Sequence, residues 1–237
     1  MPSIKLEKHT VSDAAMGYSR PIHLLRGPAG QPQRLCLLLD GELYRREMDA
    51  VPVLSALQDR QALTFAFIDH MNMQAREQDY TGNDQFGRFI AEKAIPWLES
   101  EIPDLRPGQH LIGGLSLSGL ASAWLAVQYP GHFRHCLSQS GAFWWDDESF
   151  VKMAGQRTQL NTRFWLSVGD QETEVDEPPP GSLPEVSQVV GVQNARRVLK
   201  TLGATVHYHE YHGGHDMKYW RAELEQALYW LLADHQE

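Results

Sequence analysis

Residues 111–120, Leu-Ile-Gly-Gly-Leu-Ser-Leu-Ser-Gly-Leu, constrain this chain more than any other stretch. The apolar run His110-Leu111-Ile112 reads as a strand, and residues 120–129 read as a helix that stops at Pro130-Gly131. A strand turning this sharply into a helix accepts only small side chains two positions to either side of the residue at its tip. Framed on Ser116, those flanks are Gly114 and Ser118, both small. Framed on Ser118, they are Ser116 and the bulky Leu120, which the turn would reject. Ser116 is therefore the residue at the tip. Such a turn, the G-x-S-x-G elbow, presents a serine hydroxyl for nucleophilic attack. A serine in a tight strand–helix turn with no chemistry fits the same pattern, and the motif alone leaves both open.

Strand and helix patterns alternate along the rest of the chain. Residues 21–25 and 34–39 read as early strands, 48–57 as a helix, 63–68 as a strand, and 86–100 as a helix with Pro96 inside it as a kink point. Residues 135–137 and 164–168 read as strands with no long helix between them. Residues 189–202 read as a helix closed by Gly203, 205–211 as a strand, and 219–232 as a final amphipathic helix. The alternation predicts one α/β domain over residues 1–237, with a mostly parallel central sheet flanked by helices. Such sheets gather ligands beyond the carboxyl ends of their strands, where Ser116 lies. The irregular segment 171–187, with Glu172, Glu174, Asp176, Glu177, Pro178, Pro179 and Pro180, reads as a surface loop or as a loop bordering the site.

Composition narrows the partners. The 237 residues, 42 % hydrophobic and 22 % charged, suffice for a full core. A formal net charge of −9, with no cluster of Lys and Arg to offset it, disfavours nucleic acid and anionic membrane. No apolar run approaches the ~20 residues of a membrane span, and the N-terminus has no signal-peptide core, so the default reading is a cytoplasmic protein. Cys36 and Cys136 sit in apolar strand-like runs and read as buried thiols; they make no disulfide framework and are too few for a zinc site.

A serine hydroxyl needs an adjacent base to act at neutral pH. In hydrolases built on such a sheet the order is serine, acid, histidine, each on a loop after a strand. After the strand at 164–168 comes Gly169-Asp170-Gln171-Glu172; after the strand at 205–211 comes His212-Gly213-Gly214-His215-Asp216. Of the eleven histidines, His215 stands out because it follows a Gly-Gly turn and precedes the last helix. His212 competes with it, and His207 and His209 lie within the strand. Asp170 and Glu172 rank nearly equal as the acid, ahead of Glu174 and Asp176.

Several blocks of this sequence together resemble the catalytic domain of the enterochelin (enterobactin) esterases and the wider esterase family that includes feruloyl esterases and mycolyl transferases. They are Leu38-Leu39-Asp40-Gly41-Glu42; Phe67-Ile68-Asp69 with Arg76, Asp79 and Asn83; Pro96-Trp97-Leu98; the elbow itself; Leu137-Ser138-Gln139-Ser140-Gly141-Ala142-Phe143-Trp144-Trp145; and Gly213-Gly214-His215-Asp216 with Trp220-Arg221. The resemblance covers about residues 18 to 233. It implies an α/β-hydrolase fold, with Ser116 as nucleophile and His215 as base. It moves Glu172 ahead of Asp170, because Glu172 fills the fourth position of the family's Gly-x-x-Asp turn; some siderophore esterases of this kind work with a weak or absent acid.

The expected activity is acyl transfer to serine and then to water, acting on a small-molecule ester of siderophore or aromatic-acyl type, with no metal or organic cofactor. The expected oxyanion donors are the backbone N–H of Leu117 and that of Glu42, with Gly41 and Leu43 as neighbours. Arg76 is a candidate to receive an anionic ligand, or else an exposed arginine paired with Glu77 or Asp79. Trp144 and Trp145, with Phe143, are candidates for an aromatic pocket or for core. Ser118 in place of glycine, Asp79 in place of glutamate, an expected lack of the N-terminal domain of the cytoplasmic enterochelin esterases, and the acidic Pro-rich segment depart from the siderophore enzymes. An acyltransferase with the same triad and a non-catalytic binding module of the same fold are the alternatives.

Overall fold

The computed structural model describes residues 4–173 and 186–233. Eight strands, β1 (Glu7–Asp13), β2 (Tyr18–Leu25), β3 (Arg34–Leu39), β4 (Leu63–Ile68), β5 (His110–Leu115), β6 (Phe133–Gln139), β7 (Arg163–Gly169) and β8 (Thr205–Tyr211), form one sheet in the order β1-β2-β4-β3-β5-β6-β7-β8. From β4 through β8 every neighbouring pair is parallel, while β1 and β2 form an antiparallel hairpin joined antiparallel to β4. This is the α/β-hydrolase arrangement.

The central strands are mostly apolar and are buried along nearly their whole length because both faces of the sheet are covered. In β3, Leu35, Leu37 and Leu39 pack on one face with helices α3 (Asp84–Phe89), α5 (Leu117–Gln128) and α7 (Gln188–Thr201). Cys36 and Leu38 pack on the other face with α1 (Val51–Gln58) and α8 (Met217–Leu232). Both cysteines are buried, and burial pushes the Cys36 thiol up to about 12.

Several elements differ from the sequence expectation for identifiable reasons. The strand expected at 21–25 begins at Tyr18 and pairs with β1, a polar edge strand whose exposed alternate residues hide its pattern. Helix α1 starts three residues later than position 48, because a π-helical turn, Leu43–Glu47, comes first. A helix that no apolar period announces, α2 (Met73–Tyr80), buries only Asp79 and Tyr80; Asn72 caps it by accepting from Ala75 N at 2.9 Å. The helix expected at 86–100 runs as α3, a π-helical turn (Ile90–Ala94) and α4 (Ile95–Glu101). The wide turn ends just before Pro96, so the change of helical register falls where the proline supplies no N–H. Between β6 and β7 lies α6 (Trp145–Ala154), ten residues long. Asp146, Asp147 and Glu148 inside it are all left-handed, a conformation that costs a non-glycine residue about 1–2 kcal/mol. Most of the acidic Pro-rich segment read as a surface loop or a loop bordering the site, 174–185, lies outside the described residues. Among the described residues no helix is long and apolar enough to cross a membrane.

Candidate active site

Strand β5 runs into α5 through Ser116, whose φ of 53° and ψ of −120° are strained for a side chain that bears a Cβ. The strain is held by neighbours: Ser116 N donates to Gln139 O at 2.8 Å, and Ser116 O accepts from Ala142 N at 3.0 Å and from Leu120 N at 3.1 Å. The flanking residues act as the sequence argument requires. A Cβ on Gly114 would lie 2.3 Å from Ser118 O, so only glycine fits there. Ser118 is fully buried; its Oγ donates to Leu115 O at 2.8 Å and accepts from Leu115 N at 2.9 Å. Its hydroxyl closes the turn. Ser116, at the tip, remains partly exposed.

Two acids and two histidines compete in the sequence, and the structure sorts them into two pairs. His215 Nδ1 lies 2.5 Å from Glu172 Oε2, while His212 Nδ1 lies 2.9 Å from Asp170 Oδ2. Their surroundings differ. The Glu172 side chain is 2 % exposed and that of His215 42 %; the Asp170 and His212 side chains are 39 % and 85 % exposed. Asp170 also accepts from Gly213 N at 3.0 Å, so this outer pair braces the turn that precedes His215.

The second carboxylate oxygen of Glu172 is saturated. Its Oε1 accepts from Ser140 Oγ at 2.7 Å, from Gly169 N at 2.7 Å and from Tyr211 Oη at 2.9 Å. Trp220 Nε1 donates to both Ser140 Oγ and Tyr211 Oη, at 2.9 and 3.0 Å. Burial pushes the Glu172 carboxyl up, but the hydrogen bonds from His215, Gly169 and Ser140 outweigh it and hold the group below its ordinary value. Glu172 is therefore an ionised, fixed acceptor that leaves Oε2 free for the imidazole. A histidine donating from Nδ1 keeps Nε2 as the basic nitrogen.

Ser116, Ser140, Glu172 and His215 follow the carboxyl ends of β5, β6, β7 and β8, four consecutive parallel neighbours. The resemblance already contained Ser140 and Trp220 as letters of matching blocks, yet no role attached to them. Tyr211 carried no signal beyond closing a strand.

The remaining expected site residues are distributed as follows. Leu117 opens α5, so its N–H has no partner inside the helix. Glu42 lies beyond the end of β3, immediately before the π-helical turn. Arg76 pairs neither with Glu77 nor with Asp79. It grips the buried Asp40 carboxylate, with Nε at 2.9 and 3.0 Å and one terminal nitrogen at 2.6 Å; Asp79 instead binds Arg20 at 2.5 Å. Trp144 and Trp145 are half-buried, with ring centroids 5.7 Å apart. Trp144 Nε1 donates to Gln188 Oε1 at 2.5 Å, and Gln188 Nε2 donates to Ser140 O, which ties the indole to the loop that supports Glu172. No group of three or more metal-ligating side chains occurs among the described residues.

Comparison with known proteins shows the family and the fold. The iron(III) enterobactin esterase of Dickeya dadantii is 28 % identical over 222 residues, an alignment covering 86 % of this chain and 48 % of that protein. The iron(III) salmochelin esterase of Escherichia coli O6:H1 is 29 % identical over 212 residues, covering 84 % of this chain and 50 % of its own length. The chain thus spans about half the length of the curated relatives it matches. The crystal structure of enterochelin esterase from Shigella flexneri superposes with a TM-score of 0.84 at 23 % identity, covering 98 % of this chain and 59 % of that one, which shows the shared fold. The family model described as "Putative esterase" matches residues 14–231, nearly the whole chain, and the protein belongs to that family.

Proposed function

We propose that this protein is a serine carboxylic-ester hydrolase that works through an acyl-enzyme, on enterobactin-like or other aromatic-acyl esters. The observation that carries the reading is the buried, fully hydrogen-bonded Glu172 held 2.5 Å from His215, on the loops after β7 and β8, at the same carboxyl edge of the sheet as a strained Ser116. The substrate class rests on relatives that are enterobactin and salmochelin esterases.

In this mechanism Glu172 fixes the His215 tautomer and stabilises the imidazolium. His215 Nε2 takes the Ser116 proton as Oγ attacks the ester carbonyl. The developing oxyanion is received by the N–H of Leu117, at the positive end of α5, and by the N–H of Glu42. The imidazolium then protonates the leaving alcohol, and a water activated by the same imidazole resolves the acyl-enzyme. No step draws on a metal or an organic cofactor.

The test is hydrolysis of a p-nitrophenyl ester panel beside feruloyl esters and ferric enterobactin, with fluorophosphonate labelling of the nucleophile. Ser116→Ala should abolish both hydrolysis and labelling. Labelling that persists in Ser116→Ala would refute the assignment of the nucleophile, and a wild-type protein that neither labels nor hydrolyses any ester would refute the function.

A further inference from the structure

The loop that carries the expected Glu42 N–H donor holds more charge than a turn needs. Asp40, just past β3, is fully buried and left-handed, with φ 53°. Its N–H donates to Tyr80 Oη at 3.1 Å, and its carbonyl accepts from Leu43 N and Tyr44 N at 2.9 and 3.2 Å. The next residue, Gly41, packs against the end of β4; a Cβ there would lie 2.7 Å from the Phe67 backbone. Glu42 follows, and its carboxyl bends back onto its own N–H. A carboxylate there competes with an oxyanion for the same donor and repels the charge that the transition state develops.

One side chain answers both carboxylates. His70, two residues past β4, places Nδ1 2.9 Å from Asp40 Oδ1 and 3.0 Å from Glu42 Oε1, and its backbone N–H donates to Glu42 Oε2 at 3.2 Å. The charges around it can be counted. Asp40 and Glu42 face Arg76 and His70. Beyond them Asp69 is matched by Arg45, at 2.6 and 2.7 Å, with His23 Nδ1 3.5 Å away. With Glu42 ionised and His23 neutral, the cluster is neutral when His70 carries a proton. Asp40 accordingly raises the His70 pKa, with Glu42 adding to it against burial, while burial and the nearby Asp69 and Asp40 charges push the Glu42 carboxyl up.

We infer that His70 is a positioning residue: as an imidazolium it neutralises Glu42, competes with the oxyanion donor for that carboxyl, and ties the turn after β3 to the end of β4. The inference rests on the serine-esterase reading above. It accounts for why this loop keeps a carboxylate beside a site that must bind a developing negative charge.

The experiment measures kcat and KM for a p-nitrophenyl ester from pH 5 to 9 in wild type, His70→Ala, Glu42→Gln and the double variant, with fluorophosphonate labelling of each. A [15N]histidine NMR titration of the wild type runs beside it. His70→Ala should lower kcat by roughly 10- to 100-fold, up to the loss of one oxyanion donor, with KM changed less than about twofold. It should also remove an alkaline fall in kcat that the wild type shows as His70 loses its proton. Glu42→Gln added to His70→Ala should recover roughly tenfold in kcat, since the uncompensated charge is then gone; a structural brace would give no such rescue. The imidazole of His70 should titrate above the ordinary histidine value. A variant that labels normally and keeps both its kcat and its alkaline limb would overturn the inference while leaving the esterase reading intact, as would a double variant no better than His70→Ala. A wild-type protein that does not label at Ser116 would overturn both. If His70→Ala does not fold, the titration decides, and a midpoint at or below the ordinary value counts against the inference.

Discussion

Replacing Glu223 by glutamine should flatten the pH dependence of stability between pH 5 and 8. Glu223 is a buried carboxyl on α8. Its Oε1 accepts from Ser167 Oγ at 2.6 Å and from Gln139 Nε2 at 2.8 Å, and its Oε2 accepts from Trp165 Nε1 at 3.2 Å. Among the described residues no cation pairs closely with it; His209 lies 3.8 Å away, and burial keeps that imidazole below its ordinary pKa. Burial pushes the carboxyl up to about 7 against those hydrogen bonds, and the Glu172 charge adds to the rise. An acid whose folded pKa is raised favours the folded state fully below its unfolded value of 4.5, and that contribution is lost as pH climbs through 7. The gap of about 2.5 pH units corresponds to about 3 kcal/mol in all, of which about 2.5 kcal/mol falls between pH 5 and 8.

The assay is urea unfolding followed by tryptophan fluorescence at pH 5, 6, 7 and 8 on wild type and Glu223→Gln. Glutamine keeps an acceptor for Ser167 and Gln139 but turns an amide toward Trp165 Nε1–H, so the variant should start about 1–2 kcal/mol less stable at pH 5. Other histidines titrate in this window. His23 and His207 gain stability with rising pH, and His70 and His212 lose it, but both proteins share these terms and they cancel in the difference. The wild-type curve should therefore fall toward the variant's and meet or cross it between about pH 6 and 7. Two curves that stay parallel from pH 5 to 8 would refute the reasoning, since Glu223 would then not change charge in this range.

Three further outcomes follow from the site. Glu172→Gln should cut kcat strongly, by up to ~10⁴ on the precedent of a mis-set histidine tautomer, while Asp170→Asn should cost far less; steady-state kinetics of the two variants check the ranking. Ser118→Ala should still label with a fluorophosphonate yet unfold at lower urea, by about 1–3 kcal/mol, because the buried Leu115 N–H loses its acceptor. Arg76→Ala leaves the buried Asp40 carboxylate short of its strongest partner and should destabilise the fold by about 3 kcal/mol in the same unfolding assay; a raised KM at unchanged stability would instead mark Arg76 as a ligand contact.

What the sequence made legible follows from where the physics is local. The elbow was readable because its constraint is steric and spans five residues: Gly114 is excluded from bearing a side chain by the carbonyl of Ser118, four residues on. The central strands were readable because burial on both faces makes them short, mostly apolar runs. Helix α2 and strand β1 were not, since each is polar on most of its surface and is held by pairing or capping rather than by an apolar stripe. The left-handed run at Asp146, Asp147 and Glu148 had only a weak signal: aspartate visits that region as single residues, and no glycine announces a run of three.

The acid illustrates the same divide inside the site. Asp170 and Glu172 are two residues apart on one loop, and nothing in their immediate neighbourhood distinguishes them. The distinction comes from residues 30 to 50 positions away: Ser140 after β6 and Tyr211 at the end of β8 donate to Glu172 Oε1, and Trp220 on α8 donates to both of those hydroxyls. The extra methylene of glutamate matters here. Gln171 N donates to Gly213 O at 3.0 Å, which turns the loop inward, and the longer side chain spans from that buried position to an imidazole that stays partly exposed. Aspartate at 170 remains outside with His212, where water screens its charge and its removal costs little. The same logic governs Arg76 and Asp40, 36 residues apart in sequence and in direct contact through three hydrogen bonds. An arginine that looked available to a ligand is held by a carboxylate in the turn after β3. The charge of the site is thereby set by pairs that only the folded sheet brings together, and the loop beside the oxyanion site depends on His70 for its balance.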